Sequence, residues 1–288
     1  MNVRLVLVIA GLTLREIVRR RVVWVLAGLA VVSVVLVGWG TERLVTIARE
    51  ELVNELQIRI GVSQVLILIA FMFSFVLAMS AAFLAAPAIA SDVETGTVHA
   101  MLARPLRRAE LVVGRWLGLA IVVAVYTALA GLLAIAVVGI VSGHVPPEPL
   151  VAVAFLAAQA IAVLTIAITL GTRLPAIAAG AVTVVLFGLG WFAGVLGNVA
   201  VAFDATALQG ATDAIRVILP TDGLWRGVIY GLEPPVVLLL AAGRDAGALE
   251  ASPFYVGSPP PLAFVVWSVA WVALVLAVAI TLFRRREL

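Results

Sequence analysis

From Gly61 to Ala90 the chain runs for thirty residues without a charged side chain. About 20 apolar residues in a helix are enough to cross the roughly 30 Å of bilayer hydrocarbon. Inside hydrocarbon every backbone N–H and C=O must find its partner within the protein, and in a single continuous run only a helix does this. Five further uncharged runs accompany it: Val22 to Gly40, Trp116 to Ser142, Leu150 to Gly171, Ala176 to Phe203 and Leu262 to Phe283. The expected fold is therefore an all-α integral membrane protein with six transmembrane helices. The composition agrees, with 64% hydrophobic and only 12% charged residues, where soluble domains carry roughly a quarter charged. Pro87 predicts a kink near the end of the second span.

The segments between the runs set the topology. Val3 to Leu14 is apolar, yet Arg15, Arg19, Arg20 and Arg21 follow it where a signal peptide would carry small residues. At about 100° per residue Arg4, Gly11, Arg15 and Arg19 share one stripe, which predicts an amphipathic interfacial helix over 1–21. Residues 22–288 then form one membrane domain. Trp24 and Trp39 sit near the ends of the first run, where indoles favour the headgroup level. Thr41 to Ile60 is charged, with Leu44, Val45, Ala48, Leu52 and Leu56 at helical spacing, and predicts a separate amphipathic helix on the outer surface. Its Glu50, Glu51 and Glu55 read as a solvated face, since no histidine or ligand cluster accompanies them.

The GHVPPEP turn, Gly143 to Pro149, joins spans three and four. In the long polar stretch 204–261, Ala207 to Leu219 and Leu224 to Leu232 can each form a helix, with Pro220-Thr221-Asp222-Gly223 breaking between them. Trp225 and Tyr230 are expected as interface anchors, and Val236 to Ala242 is too short to cross. This stretch is either a lid over the outer helix ends or a contact surface for substrate or an accessory protein. Gly190 and Gly194 have GxxxG spacing in a Gly/Ala-rich span, which lets helices approach closely, either within the subunit or at a dimer seam.

Arginine placement gives the orientation. Arg4, Arg15, Arg19, Arg20, Arg21, Arg104, Arg107, Arg108, Arg115, Arg173, Arg284, Arg285 and Arg286 lie on the side of both termini; Arg43, Arg49, Arg59, Arg216, Arg226 and Arg244 lie on the other. By the positive-inside rule the termini and the loop 91–115 are cytoplasmic, and the protein sits in a cytoplasmic (inner) membrane. The same distribution removes any need to explain the basic pI by nucleic acid.

The six runs contain no Asp, Glu, Arg or His. Ion-coupled carriers accept a cost of about 2.5 to 3.5 kcal/mol to place such groups in the membrane. Polar groups within the runs, such as Gln64, Gln159, Thr165, Thr169, Thr183 and Asn198, suit interhelical hydrogen bonds. There is no cysteine, and no lysine for a Walker A loop or a Schiff base. Four methionines and two histidines make no soft-metal relay. No catalytic residue, metal site or cofactor is expected, so energy for transport would have to enter through a partner.

The docking surface for such a partner is the loop SDVETGTVHAMLARPLRRAELVVGRW, Ser91 to Trp116. Ser91 and Glu94 have capping-box spacing, which predicts a helix starting at Ser91. Gly96 would bend it, Val98 to Ala103 is apolar, His99 falls on its surface, and Pro105 suits the first turn of the helix entering span three.

Glu94, Gly96, Thr97, Pro105 and Arg108 resemble the E-x-G-T and P-x-x-R elements in the first cytoplasmic loop of ABC-2-type permease subunits of ABC transporters. The resemblance extends over nearly the whole chain: the N-terminal amphipathic helix with its arginine cluster, six spans, and an arginine-rich end, FRRREL. It is similar in particular to the permease of the nitrous-oxide-reductase copper-maturation system. Arg107 departs from the small hydroxyl residue common in that family before the arginine. The resemblance implies a permease subunit that pairs with a second copy of itself or a homologous permease, and that docks a separate ATP-binding ATPase subunit on this loop. By position Glu94, Gly96 and Thr97 would lie at the ATPase contact, with Pro105 and Arg108 shaping its exit. Asp92, Glu94 and Arg104 are the expected polar contacts, and Val98, Met101 and Leu102 the apolar ones. A non-transporting scaffold and an ion-coupled secondary transporter are the alternative readings.

Overall fold

Long runs of Leu, Ile, Val and Ala with few breakers produce helices throughout the computed structural model, which describes residues 2–19, 21–51, 53–94, 107–203, 205–234 and 252–286. In chain order these are α1 (Val3–Arg19), α2 (Arg21–Glu50), α3 (Glu55–Ala85), α4 (Pro87–Glu94), α5 (Arg108–Ser142), α6 (Pro149–Gly171), α7 (Ala176–Ala202), α8 (Thr206–Ile218), α9 (Thr221–Leu232) and α10 (Leu262–Arg284). No strand occurs among the described residues. Six helical stretches are long and apolar enough to cross a membrane, in α2, α3 continued by α4, α5, α6, α7 and α10.

α6 is the centre of the bundle. It packs against α3, α5, α7, α9 and α10, and the consecutive residues Ala162, Val163, Leu164, Thr165, Ile166, Ala167 and Ile168 are all buried. A helix buried all round must be apolar all round, and it shows little amphipathicity. The helices outside it turn Leu129, Ile140, Val185, Leu189, Val269 and Leu274 outward, as surfaces facing lipid do. α1 lies along α5, where a Cβ on Gly118 would come within 2.8 Å of the Ala10 carbonyl oxygen. The bare glycine backbone is what permits this approach.

Two expectations about boundaries change. The charged segment after Gly40 does not form a helix of its own; α2 continues unbroken to Glu50, because no Pro interrupts it and a change from apolar to charged side chains does not stop a helix. Val45, within that segment, is buried in the main core. The break falls at Glu51–Asn54, and the Asn54 side chain accepts from Leu56 N at 3.1 Å to start α3. At the other end of α3 the interruption is at Ala86, one residue before Pro87. α4 begins at Pro87, so Ser91 is not its N-cap. The Ser91 hydroxyl donates back to the Pro87 carbonyl at 2.8 Å, a bond made from inside a helix.

The segment after α7 makes the largest difference. α8 folds back along α7 and α9 returns against α6 and α3, so the pair is a hairpin inserted into the bundle and not a lid over it. Trp225, expected at the interface, is 2% exposed and packs its ring on Phe71 of α3 at 5.6 Å. Leu219 and Thr221, at the hairpin tip, lie beside Gly190. That glycine is twelve residues before the end of α7, about 18 Å along the helix. Val236 to Ala242 lies outside the described residues.

Candidate functional site

At the face carrying both chain termini, α4 is fastened to three helices. Arg115 of α5 donates to Asp92 of α4 at 2.8 Å and to Glu16 of α1 at 2.7 Å. Glu94, the last residue of α4, accepts from the backbone N–H of Ala176 at 3.2 Å. This places a carboxylate at the N-terminus of α7, where free N–H groups and the helix dipole favour negative charge. A small cleft lined by Thr13, Glu16, Ser91, Asp92 and Arg115 lies between these parts.

The start of α5 belongs to the same assembly. Arg107 is its N-cap in an extended conformation, and Glu110, three residues on, accepts from the Arg107 N–H at 3.1 Å. The departure from a hydroxyl residue at Arg107 thus leaves the Glu half of a capping box to secure the helix. Glu110 also accepts from Asn2 N at 2.7 Å, tying the beginning of the chain to α5. Arg108 donates to the carbonyls of Phe283, Arg284 and Arg286 at 3.0, 3.0 and 2.7 Å, and lies over the Phe283 ring. It caps the last helix, whose final carbonyls have no partner in their own helix. Arg286 in turn donates to Thr172 O at 2.6 Å, beyond the end of α6.

Of the loop residues selected from sequence, the structure brings Asp92, Glu94 and Arg108 into this assembly. Gly96, Thr97, Val98, Met101, Leu102, Arg104 and Pro105 lie outside the described residues, as does His99. Arg115, Glu16 and Glu110 were not singled out; no spacing marks Arg115 and Glu16, whose partners are on other helices, whereas Glu110 stands at capping-box spacing from Arg107.

The hairpin holds a second polar constellation. Its tip presents carbonyls beside Gly190, well short of the end of α7, and each of three has a side-chain donor: Trp267 Nε1 to Val217 O at 3.0 Å, Trp271 Nε1 to Ile218 O at 2.8 Å, and Gln159 Nε2 to Thr221 O at 3.1 Å. Lipid supplies no hydrogen bonds, so these indoles and the amide are what make a helix break tolerable at this depth. Arg216 of α8 donates to Asp222 of α9 at 2.9 Å and to Gly194 O at 3.1 Å. Arg226 donates to Asn198 Oδ1 at 2.8 Å. Gly190 and Gly194 face this constellation: a Cβ on Gly190 would meet Thr221 Oγ1 at 2.7 Å, and one on Gly194 would overlap the Asp222 carboxylate.

The charge-free runs therefore do not leave the interior free of charge. Arg216, Asp222 and Arg226 arrive from outside the spans, carried in by the hairpin. Pro220 did signal a tight turn between two helices, although Thr221, Asp222 and Gly223 open α9 and are not part of the break, and nothing in this stretch signals depth.

Beyond the hairpin, Glu233 is buried and accepts from Val256 N at 3.2 Å through one oxygen, while the other has no partner among the described residues. Burial raises its pKa to about 7, opposed by the Val256 hydrogen bond. His144 Nε2 and Ser63 Oγ are 2.8 Å apart, and burial, followed by the charge of Arg59, lowers the His144 pKa.

Five apolar helices around a sixth, buried one, each long and apolar enough to cross a membrane, define a multi-pass membrane protein. A family model described as "ABC-2 family transporter protein" matches residues 7–288, and the chain belongs to that family. It is thus a transporter permease, a membrane component of a kind that pairs in general with an ATP-binding subunit. No curated protein matches the sequence.

Proposed function

We propose that this chain is the permease subunit of an ATP-binding cassette exporter, working as a pair of permeases with two ATPase subunits docked on the 91–115 loops. Both termini and these loops face the cytoplasm of a prokaryotic cell, and α1 lies along the inner leaflet. ATP is bound and hydrolysed by the partner; this chain carries out no covalent chemistry. Within the family, the E-x-G-T loop with Pro105 and Arg108 supports a place near the permeases of nitrous-oxide-reductase copper-maturation systems.

The observation that carries the reading is the fastening of α4. Force on the loop that follows Glu94 is passed through Asp92 and Arg115 to α5 and α1, and through Glu94 to the N-terminus of α7. Continuation of α3 by α4 adds a direct route into the second span. A nucleotide-driven movement of the ATPase would then tilt several spans together.

Co-purification with the adjacent ATPase and ATP hydrolysis in lipid test this, comparing wild type with Glu94→Arg plus Thr97→Arg. Loss of association or of stimulated hydrolysis, with normal insertion, is expected. If wild type binds no ATPase, or the variant behaves identically, the loop is not the coupling element and a scaffold role takes precedence.

The buried Asp222 with the partly buried Arg216 and Arg226 favours one second reading, an ion-coupled carrier. Transport in proteoliposomes that persists when ion gradients are collapsed, and that requires ATP, excludes it.

A further inference from the structure

We propose that the cavity between α2, α3 and α5 is a binding site for one acyl chain of a bilayer phospholipid, taken from the leaflet on the side opposite the chain termini. Small side chains make the room. Ala130, Gly131 and Ala134 line it from α5, Ala30 and Ser33 from α2, and Ala152 from α6. α2 packs on α5 far more than on α3, and the space left on the α3 side is a cavity of about 350 Å³. An apolar cavity of about 150 Å³ already admits a benzene ring.

The lining decides the chemistry of the ligand. Its only hydroxyl groups belong to Ser33 and Tyr126, and it contains no charged side chain. A water held inside a protein needs about two to four polar partners, so most of this wall suits neither water nor a polar solute. The helices that form it cross the membrane, and what surrounds them there is hydrocarbon. A chain of hydrocarbon is the ligand that this wall accepts along its whole length.

Length and direction identify that chain as a lipid tail. On α3 the lining runs from Leu66 to Val76, ten residues or about 15 Å along the axis. One leaflet supplies half of about 30 Å of hydrocarbon, also about 15 Å. Ala152 lies in the first turn of α6 and Leu232 ends α9, whereas Tyr126 is at the middle of α5. The cavity therefore extends from the middle of the bundle toward the end opposite the termini, parallel to the tails of that leaflet. Its mouth opens onto them: Leu68, Met72 and Val76 recur one turn apart on α3, line the cavity and are still exposed. Its back wall is closed by Leu156 of α6 and Val228 of α9, both buried. A tail entering between α2 and α3 thus reaches the central helix. The site makes no use of the coupling loop, so it stands or falls separately from the ATPase reading.

The test is photolabelling of the full chain in liposomes, using phosphatidylcholine with a diazirine either at the middle of one acyl chain or on the headgroup, and mapping the adducts by mass spectrometry. The mid-chain probe is expected to label Leu156 or Val228, which lipid outside the bundle does not touch; the headgroup probe is expected to label neither. Val269 and Leu274 on α10 face outward and report labelling by surrounding lipid in every sample. Ala134→Phe fills the cavity and is expected to abolish the adducts on Leu156 and Val228 while those on α10 persist. Ser33→Leu, a smaller intrusion from α2, decides the matter if Ala134→Phe does not fold. Labelling of α10 without any adduct on Leu156 or Val228 in the wild type, including the case in which a second copy of the chain covers the mouth, overturns the proposal, as do adducts unchanged in both variants.

Discussion

The Asp222 carboxylate occupies the space where a side chain at Gly194 would begin, and Arg216 closes over both, bonding the carboxylate at 2.9 Å and the Gly194 carbonyl at 3.1 Å. The glycine and the ion pair are thus one structural unit, joining a transmembrane helix to a hairpin made from the polar stretch that follows it. Gly194→Ala is expected to displace the carboxylate. Overpacking costs about 1 to 3 kcal/mol, and losing the buried partner raises this toward about 3 to 5 kcal/mol. Thermal unfolding in detergent, compared with Gly188→Ala, where a Cβ meets nothing, checks it.

Trp271 secures the hairpin tip from the last helix. Trp271→Phe preserves the ring and removes the donor to Ile218 O, so it is expected to destabilise by about 1 to 3 kcal/mol. Trp267→Phe is expected to cost less, because Trp267 is 37% exposed and Val217 is an exposed residue. Limited proteolysis of both variants, read at the α8–α9 connection, distinguishes a loosened hairpin from general unfolding.

Arg115 holds two carboxylates of unequal burial. Asp92→Asn is expected to reduce ATPase-coupled transport more than Glu16→Gln, because the Asp92 side chain is 16% exposed and that of Glu16 43%. An exposed pair contributes about 0 to 1 kcal/mol. Transport per ATP hydrolysed, measured for both variants and for Arg115→Gln, checks the order; equal effects would argue against α4 as the transmitting element.

Glu233 gives a pH dependence with a defined sign. Its folded pKa, about 7, exceeds the ordinary carboxylate value, so the folded state holds a proton that the unfolded state has released. Stability is therefore highest at acid pH, falls as pH rises through the window from about 4.5 to 7, and then levels off. Glu233→Gln is expected to abolish this fall, giving a higher Tm than wild type at pH 8 and a similar one at pH 5. The gain is of order 1 kcal/mol after allowing for solvent screening.

Sequence alone was enough to determine that this is a helical membrane protein. Uncharged runs such as Gly61 to Ala90 have one way to satisfy their backbone in lipid, and that requirement is local. The two helices around Pro220 were also legible, since a proline followed by Thr-Asp-Gly stops one helix and starts another within four residues. Asp92, Glu94 and Arg108 stood out as charges grouped between apolar spans. What these charges bind was decided by the tertiary structure: Arg108 caps a helix that begins more than 150 residues later, and Asp92 meets Arg115 only because α4 folds against α5. The depth of the hairpin was likewise a tertiary matter. Its sequence is polar enough for a surface loop, and it enters the bundle because Gly190 and Gly194 leave room for it, Trp271, Trp267 and Gln159 satisfy its carbonyls, and Arg216 neutralises Asp222. The glycines come from α7, the indoles from α10 and the amide from α6, so although the Arg216–Asp222 pair lies within the hairpin, the room and the donors that admit it are not written in its local pattern.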